Sequence, residues 1–208
     1  PLNPDDSGIP CAVLKYRVKN ISKGNADVTI AGSLSNPVGF NGYNVWKRPN
    51  EDYLEGNTNE YKTGNEVSGL YMYSSTLPTN HLKNGNVSLV TNAEKVTVKP
   101  NWYQGAWFDG IQMMWDDFCD DGKLDSGDEA GHQGSELHKT LIKTGSIGSY
   151  DTLQAGEEKE FLFLLTWYFP NRANGWESDC CGPKCDCKIE QNYYAAQFRN
   201  SWDVAEYV

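Results

Sequence analysis

One run of nine residues sets the terms for this chain. Phe161-Leu162-Phe163-Leu164-Leu165-Thr166-Trp167-Tyr168-Phe169 is apolar on both alternating faces, follows the polar turn Ala155-Gly156-Glu157-Glu158-Lys159, and stops at Pro170. It is half the roughly 18 residues a membrane helix requires. A short apolar run between a glycine turn and a proline predicts a central strand covered on both sides rather than a helix. Such a strand needs a layer above and a layer below it, so the expected architecture is mainly β, an antiparallel two-layer sandwich.

Other segments carry the alternation of half-buried strands. In residues 11–20, Leu14, Tyr16 and Val18 alternate with Lys15, Arg17 and Lys19, which assigns one face to a core and one to water. The turn-rich residues 20–26 then lead to Val28, Ile30 and Leu34, and the pair reads as a hairpin with a longer loop. Residues 86–91 and 95–99 form a second candidate hairpin around Asn92-Ala93-Glu94, ended by Pro100, which cannot donate to a ladder. Between these lie long Asn- and Gly-rich connections, residues 35–65 and 116–149; loops of that length are usually functional or held by a neighbour. Helical periodicity is concentrated at the end, where Tyr194, Phe198, Trp202 and Ala205 share one face. The amphipathic pattern reaches Val208 without a Gly or Asn cap, so the helix reads as cut rather than finished. The organisation expected is a sandwich over residues 1–190 followed by a helical segment over 191–208.

Composition then removes classes of partner. The 208 residues carry 28 Asp+Glu against 18 Lys+Arg, a net charge of −10, which opposes a phosphate backbone and an anionic bilayer. Neither nucleic acid nor a membrane span is expected. The aromatic content, 12% with seven Trp and twelve Tyr, is too high for a disordered tail. The sequence opens at Pro1 with no Met, no basic n-region and no apolar h-region, so any targeting peptide is expected to have been removed or to lie outside it.

Few residues combine into a chemical site. Asp116, Asp117, Asp120, Asp121, Asp125, Asp128 and Glu129 face Lys123 alone and hold six units of the negative balance. Asp117, Asp121 and Asp128 fall at positions 1, 5 and 12 of an EF-hand-like calcium loop, with Gly122 at position 6. Cys119 at position 3 is a soft ligand where calcium needs oxygen, position 12 is not Glu, and no helix pattern frames the loop; a solvated acidic loop is the stronger reading. A glycosidase pair needs two carboxylates with distinct environments across a cleft, which neighbours in one loop do not offer. Cys180, Cys181, Cys185 and Cys187 crowd one loop that fits a zinc thiolate site, a disulfide knot or free thiols, and its C-C-x3-C-x-C spacing is not that of a paired C-x2-C zinc fold. With Cys11 and Cys119 the cysteines number six, an even count that leans toward an extracytoplasmic, oxidising location. His81, His132 and His138 read as surface or loop residues, with no G-x-S-x-G elbow and no phosphate loop, so no catalytic residue and no cofactor are expected. Trp102, Tyr103, Trp107, Phe108 and Trp115 crowd one stretch, with Trp46 and Trp176 in other loops. Trp102, Trp107 and Trp176 are the candidates for stacking on sugar, against a stronger reading as sandwich core or interface. Asn20-Ile21-Ser22 and Asn86-Val87-Ser88 are glycosylation sequons that matter only on a eukaryotic secretory path.

Several stretches in order complete the reading: Pro1-Leu2-Asn3-Pro4-Asp5-Asp6-Ser7-Gly8-Ile9-Pro10 before a Val-Leu-Lys-Tyr-Arg-Val strand, Trp115-Asp116-Asp117-Phe118 with Asp121-Gly122-Lys123-Leu124, Thr166-Trp167-Tyr168-Phe169-Pro170-Asn171-Arg172, and Asn192-Tyr193-Tyr194 through Trp202-Asp203-Val204-Ala205-Glu206-Tyr207. Together they resemble the amino-terminal region of glycoside hydrolase family 116, which includes β-glucosidases and the non-lysosomal glucosylceramidase (bile acid β-glucosidase). The resemblance implies a non-catalytic β-sandwich supporting a downstream helical (α/α)6 domain, with residues 191–208 the start of the linker helix to it. That domain carries the nucleophile Glu and acid/base Asp of a retaining mechanism acting on a β-glucoside or related carbohydrate. No residue of this chain matches those motifs, so none takes a catalytic role from the family. The resemblance also implies a sandwich incomplete at its N-terminal side, and the loop holding Cys180 and Cys187 has no counterpart in the family pattern. The alternative readings are a free-standing carbohydrate-binding module and a ligand-free scaffold.

Overall fold

A computed structural model describes residues 3–40, 54, 56–104, 109–125, 142–174 and 188–208. In chain order it contains α1 (Pro4–Ser7), β1 (Cys11–Lys19), β2 (Ala26–Ser35), β3 (Asn57–Thr63), β4 (Ser68–Ser74), β5 (Asn86–Thr91), β6 (Val96–Lys99), α2 (Asp109–Asp121), β7 (Thr144–Leu153), β8 (Glu158–Tyr168), β9 (Asn171–Ala173), β10 (Ile189–Gln191), a 3-10 turn (Tyr193–Ala196) and α3 (Ser201–Tyr207). Five strands form one antiparallel sheet in the order β1-β8-β5-β4-β3, and three form another in the order β2-β7-β6; β9 and β10 make a separate pair.

The two larger sheets face each other across an apolar core. Leu70 and Met72 of β4, Val87 and Leu89 of β5, and Phe161 and Phe163 of β8 meet Ile147 of β7, with Val28, Ile30 and Leu34 of β2 and Val98 of β6 packed alongside. Each such side chain contributes about 2 kcal/mol when fully withdrawn from water. The opposite face of β8 is covered as well: Leu164 joins Val90, Trp202 and Ala205, so α3 closes the outer side of the five-stranded sheet. The nine-residue apolar run is thus a two-sided strand, with the opposing sheet on one face and a helix on the other.

The hairpins expected from the alternation do not form. β1 pairs with β8 while β2 pairs with β7, and β5 pairs with β4 and β8 while β6 pairs with β7. Both turns carry the chain from one sheet to the other, as does the turn between β7 and β8, where Gly156 takes φ 79°. Alternation states which face of a strand is apolar; it does not state which strand lies beside it, and an arch between sheets places the two apolar faces toward each other as well as a hairpin does. Asn20 fastens two of these arches. Its side-chain amide donates to the carbonyls of Gly24, Leu153 and Gln154 at 2.8, 2.9 and 3.0 Å, and its backbone bonds Glu157 and Gly156.

Three further expectations are corrected. Leu14 and Tyr16 lie opposite Phe163 and Phe161 on the inner face, yet remain 39% and 48% exposed, because β1 is an outer strand and the facing sheet is only three strands wide. Residues 35–65 are not wholly loop, since β3 forms seven register pairs with β4. The terminal helix is not continuous: a 3-10 turn is followed by a break at which the Asn200 side chain accepts from the backbone N–H of Asp203 and starts α3 anew.

Candidate functional site

The outer face of the three-stranded sheet is built from small side chains. Register places Ala31 beside Gly148 beside Thr97, and Ser33 beside Ser146 beside Lys99, on one surface. A Cβ on Gly148 would stand 2.9 Å from the Thr97 methyl carbon, so any larger residue at that point would have to displace Thr97. The shallow floor is roofed by the chain after β6. Trp102 lies there half-buried, its indole N–H donating to the Ser146 hydroxyl at 2.7 Å and its backbone N–H to the Thr144 carbonyl at 2.7 Å. Its polar handle is spent inside the domain.

α2 is anchored to the same surface at its C-terminal end. Gly122 at φ 75° donates to the Phe118 carbonyl and turns the chain back. Leu124 is buried, and its backbone N–H and carbonyl bond the Thr97 hydroxyl at 2.8 and 2.9 Å. Lys99, with 9% of its side chain exposed, extends its ammonium to the Asp125 carbonyl at 2.6 Å and to Asp117 Oδ2 at 3.3 Å; the same carboxylate oxygen accepts from the Asp125 backbone at 3.1 Å. The stretch beginning at Asp116, expected as a loop, therefore opens inside a helix. Asp117 and Asp121 sit in its last turn, one engaged by a buried lysine and the other capping the Lys123 N–H at 2.8 Å. The missed signal was the spacing of Ile111, Trp115 and Phe118, which recur at helical intervals among the aspartates. Among the described residues no group of three or more His, Cys, Asp or Glu is placed to hold a metal ion.

A cleft of about 240 Å³ opens at the arch end between the sheets, lined by residues that include Asn92, Lys95, Tyr150, Asp151, Lys159 and Phe161. Asp151 accepts from Lys159 and, at 2.7 Å, from Lys95. These two ammonium groups, Lys159 first, hold its carboxyl well below the usual carboxylate range, while the bond to Asp151 raises Lys95. A carboxylate so held keeps no proton near neutral pH and offers no general acid. The trio ties β7 to β8 and to the start of β6.

The remaining sequence candidates divide by position. His81 Nδ1 accepts from the Lys83 backbone at 3.1 Å. Cys11 and Cys119 are free thiols, and burial raises the pKa of Cys11, keeping it protonated and weakly nucleophilic. Asn20 is buried with its amide triply bonded, and Asn86 Oδ1 accepts from the Ser201 backbone at 2.6 Å, so both sequon asparagines serve the fold. Trp107, Trp176, Asp128, Cys180, Cys181, Cys185, Cys187, His132 and His138 lie outside the described residues. No helix among the described residues is long and apolar enough to cross a membrane. Compared with known families, residues 1–208 match the one described as beta-glucosidase 2, glycosyl-hydrolase family 116 N-term. No curated protein matches the chain.

Proposed function

We propose, from the premise that this chain belongs to the N-terminal region of glycosyl-hydrolase family 116, that it is a non-catalytic sandwich of a retaining β-glycosidase. It packs on and supports an (α/α)6 catalytic domain that acts on a β-glucoside or related carbohydrate. Residues 191–208 begin the connection to that domain. The family match across the whole chain carries the reading. What supports it locally is that the polar groups nearest the two candidate surfaces are already engaged within the fold: Trp102 with Ser146, Lys99 with Asp117, and Asp151 with two lysines.

Calorimetric titration of β-glucans and β-glucosides against residues 1–208 tests it, the expected result being no saturable heat. A second reading, a carbohydrate-binding module, draws on Trp115, whose indole is 57% exposed, and it gains if saturable binding is found and is abolished in Trp115→Ala.

A further inference from the structure

The two longer helices use their apolar residues in opposite ways. α3 has seven residues and buries four of them against β5 and β8. α2 has thirteen and buries none. Its Ile111 and Trp115, one turn apart, are 59% and 57% exposed, and the Trp115 ring leans on Phe118 with centroids 6.5 Å apart. A stripe continuing from i to i+4 to i+7 is a surface, unlike the scattered single apolar residues that any soluble protein exposes. The helix bearing it is also held in place rather than loosely attached, since Asp117 is paired with the buried Lys99 and the chain just beyond the helix is bonded to Thr97. A helix pinned by its polar side, with an apolar flank turned outward, is pre-organised to fill a groove.

Charge selects what the groove belongs to. Asp109, Asp116, Asp117, Asp120 and Asp121 are the charged residues of α2, and no Lys or Arg lies within it. An acidic helix is repelled by anionic lipid and by nucleic acid. It is complementary to an apolar groove with basic residues on its rim. We propose that the Ile111–Trp115 flank of α2 is the surface on which the catalytic region of the parent hydrolase seats, through an apolar groove rimmed by Lys or Arg. This rests on the scaffold reading above and adds to it the face that makes the contact.

The test uses the full-length hydrolase carrying a photo-crosslinking phenylalanine analogue at one position at a time. The positions are 115 on the stripe, 113 on the far side of α2, 21 in the arch between β1 and β2, and 207 on α3. Mapping by mass spectrometry is expected to place the crosslinks from position 115, and not those from 113 or 21, on an apolar segment after residue 208 that is flanked by Lys or Arg. In parallel, Trp115→Lys in the full-length enzyme is expected to shorten the half-life of activity at elevated temperature by about fivefold or more, with Trp115→Phe close to the parent and Met113→Lys unchanged. Crosslinks to the catalytic region from position 207 or 21 but not from 115 would overturn the assignment of the face and leave the scaffold reading standing. Crosslinks from none of the four would remove both. Crosslinks from 115 solely to residues within 1–208, or to a second copy of the chain, would also overturn the assignment, and sugar protecting position 115 from crosslinking would replace it with a carbohydrate site.

Discussion

Asn20 is where a single substitution tests the arch architecture most directly. It follows β1 at the point where the chain leaves the five-stranded sheet, and it is 5% exposed. Its amide donates to carbonyls on two different arches, those of Gly24 and of Leu153 and Gln154, and its Oδ1 accepts from the Ser22 backbone at 2.9 Å. Asn20→Ala deletes all four bonds. The two amide protons are shared among the three carbonyls, so with the Ser22 contact the loss is worth about three bonds at roughly 1 kcal/mol net each; water can reach the partly buried Gly24 and Gln154 carbonyls, which brings it to about 2–3 kcal/mol. For a domain of this size that corresponds to a fall in Tm of about 4–12 °C. Asn20→Asp separates the arch argument from a mere loss of volume. It keeps the acceptor for Ser22 but turns a carboxylate toward three carbonyl oxygens, so it is expected to destabilise at least as much as Ala, although it is nearly isosteric. Urea unfolding of the three proteins, with the m-value compared, measures this. An Asn20→Asp protein melting within about 1 °C of the parent, when each kcal/mol is worth about 2–4 °C, would refute the reasoning.

Further predictions concern the other anchors. Asp117→Ala leaves the Lys99 ammonium buried with one carbonyl partner and should cost about 3 kcal/mol, whereas adding Lys99→Met to it should recover part of that loss; a double-mutant cycle by urea melts reads both. Trp202→Ala, at a side chain 3% exposed between Val90 and Leu164, should cost about 3–5 kcal/mol by the same melts. Asp151 has its folded pKa depressed, so its stabilisation is present above the unfolded carboxylate range and is lost as pH falls from about 4 toward the folded pKa. The difference in Tm between the parent and Asp151→Asn should therefore be constant above about pH 5 and shrink below about pH 4.

What could be read from the sequence follows from which interactions are local. The Phe161 to Phe169 run announced a strand covered twice because both its faces are apolar and it is confined to nine residues between a glycine turn and Pro170. The partners of β1 and β2 were not legible, because pairing of Cys11 with Thr166 and of Ala26 with Leu153 leaves no trace in alternation. α2 was obscured by its aspartates, which dominate the composition of a segment whose Ile111, Trp115 and Phe118 hold the helical period. The break before α3 is marked in the sequence by Asn200, a residue that starts helices more readily than it continues them. Of the candidate site, the types of residue were visible and their engagements were not: Trp102 reads the same whether its indole faces sugar or, as here, the Ser146 hydroxyl.

The arches also bear on how the chain comes to be folded. Since β1, β5 and β7 are each followed by a strand of the opposite sheet, neither sheet can assemble from a contiguous segment. The first strand finds its partner only when residues 158–168 have been made, and β2 waits for residues 144–153. At 5–20 residues per second of synthesis, β1 stays unpaired for roughly 10–30 s, longer than any elementary collapse or hairpin event. Pairings so distant along the chain belong to the slow end of the folding spectrum. A nascent chain of this kind exposes Val13, Leu14 and Tyr16 throughout that interval, and its yield in a cell is expected to depend on chaperones more than on the stability of the finished sandwich.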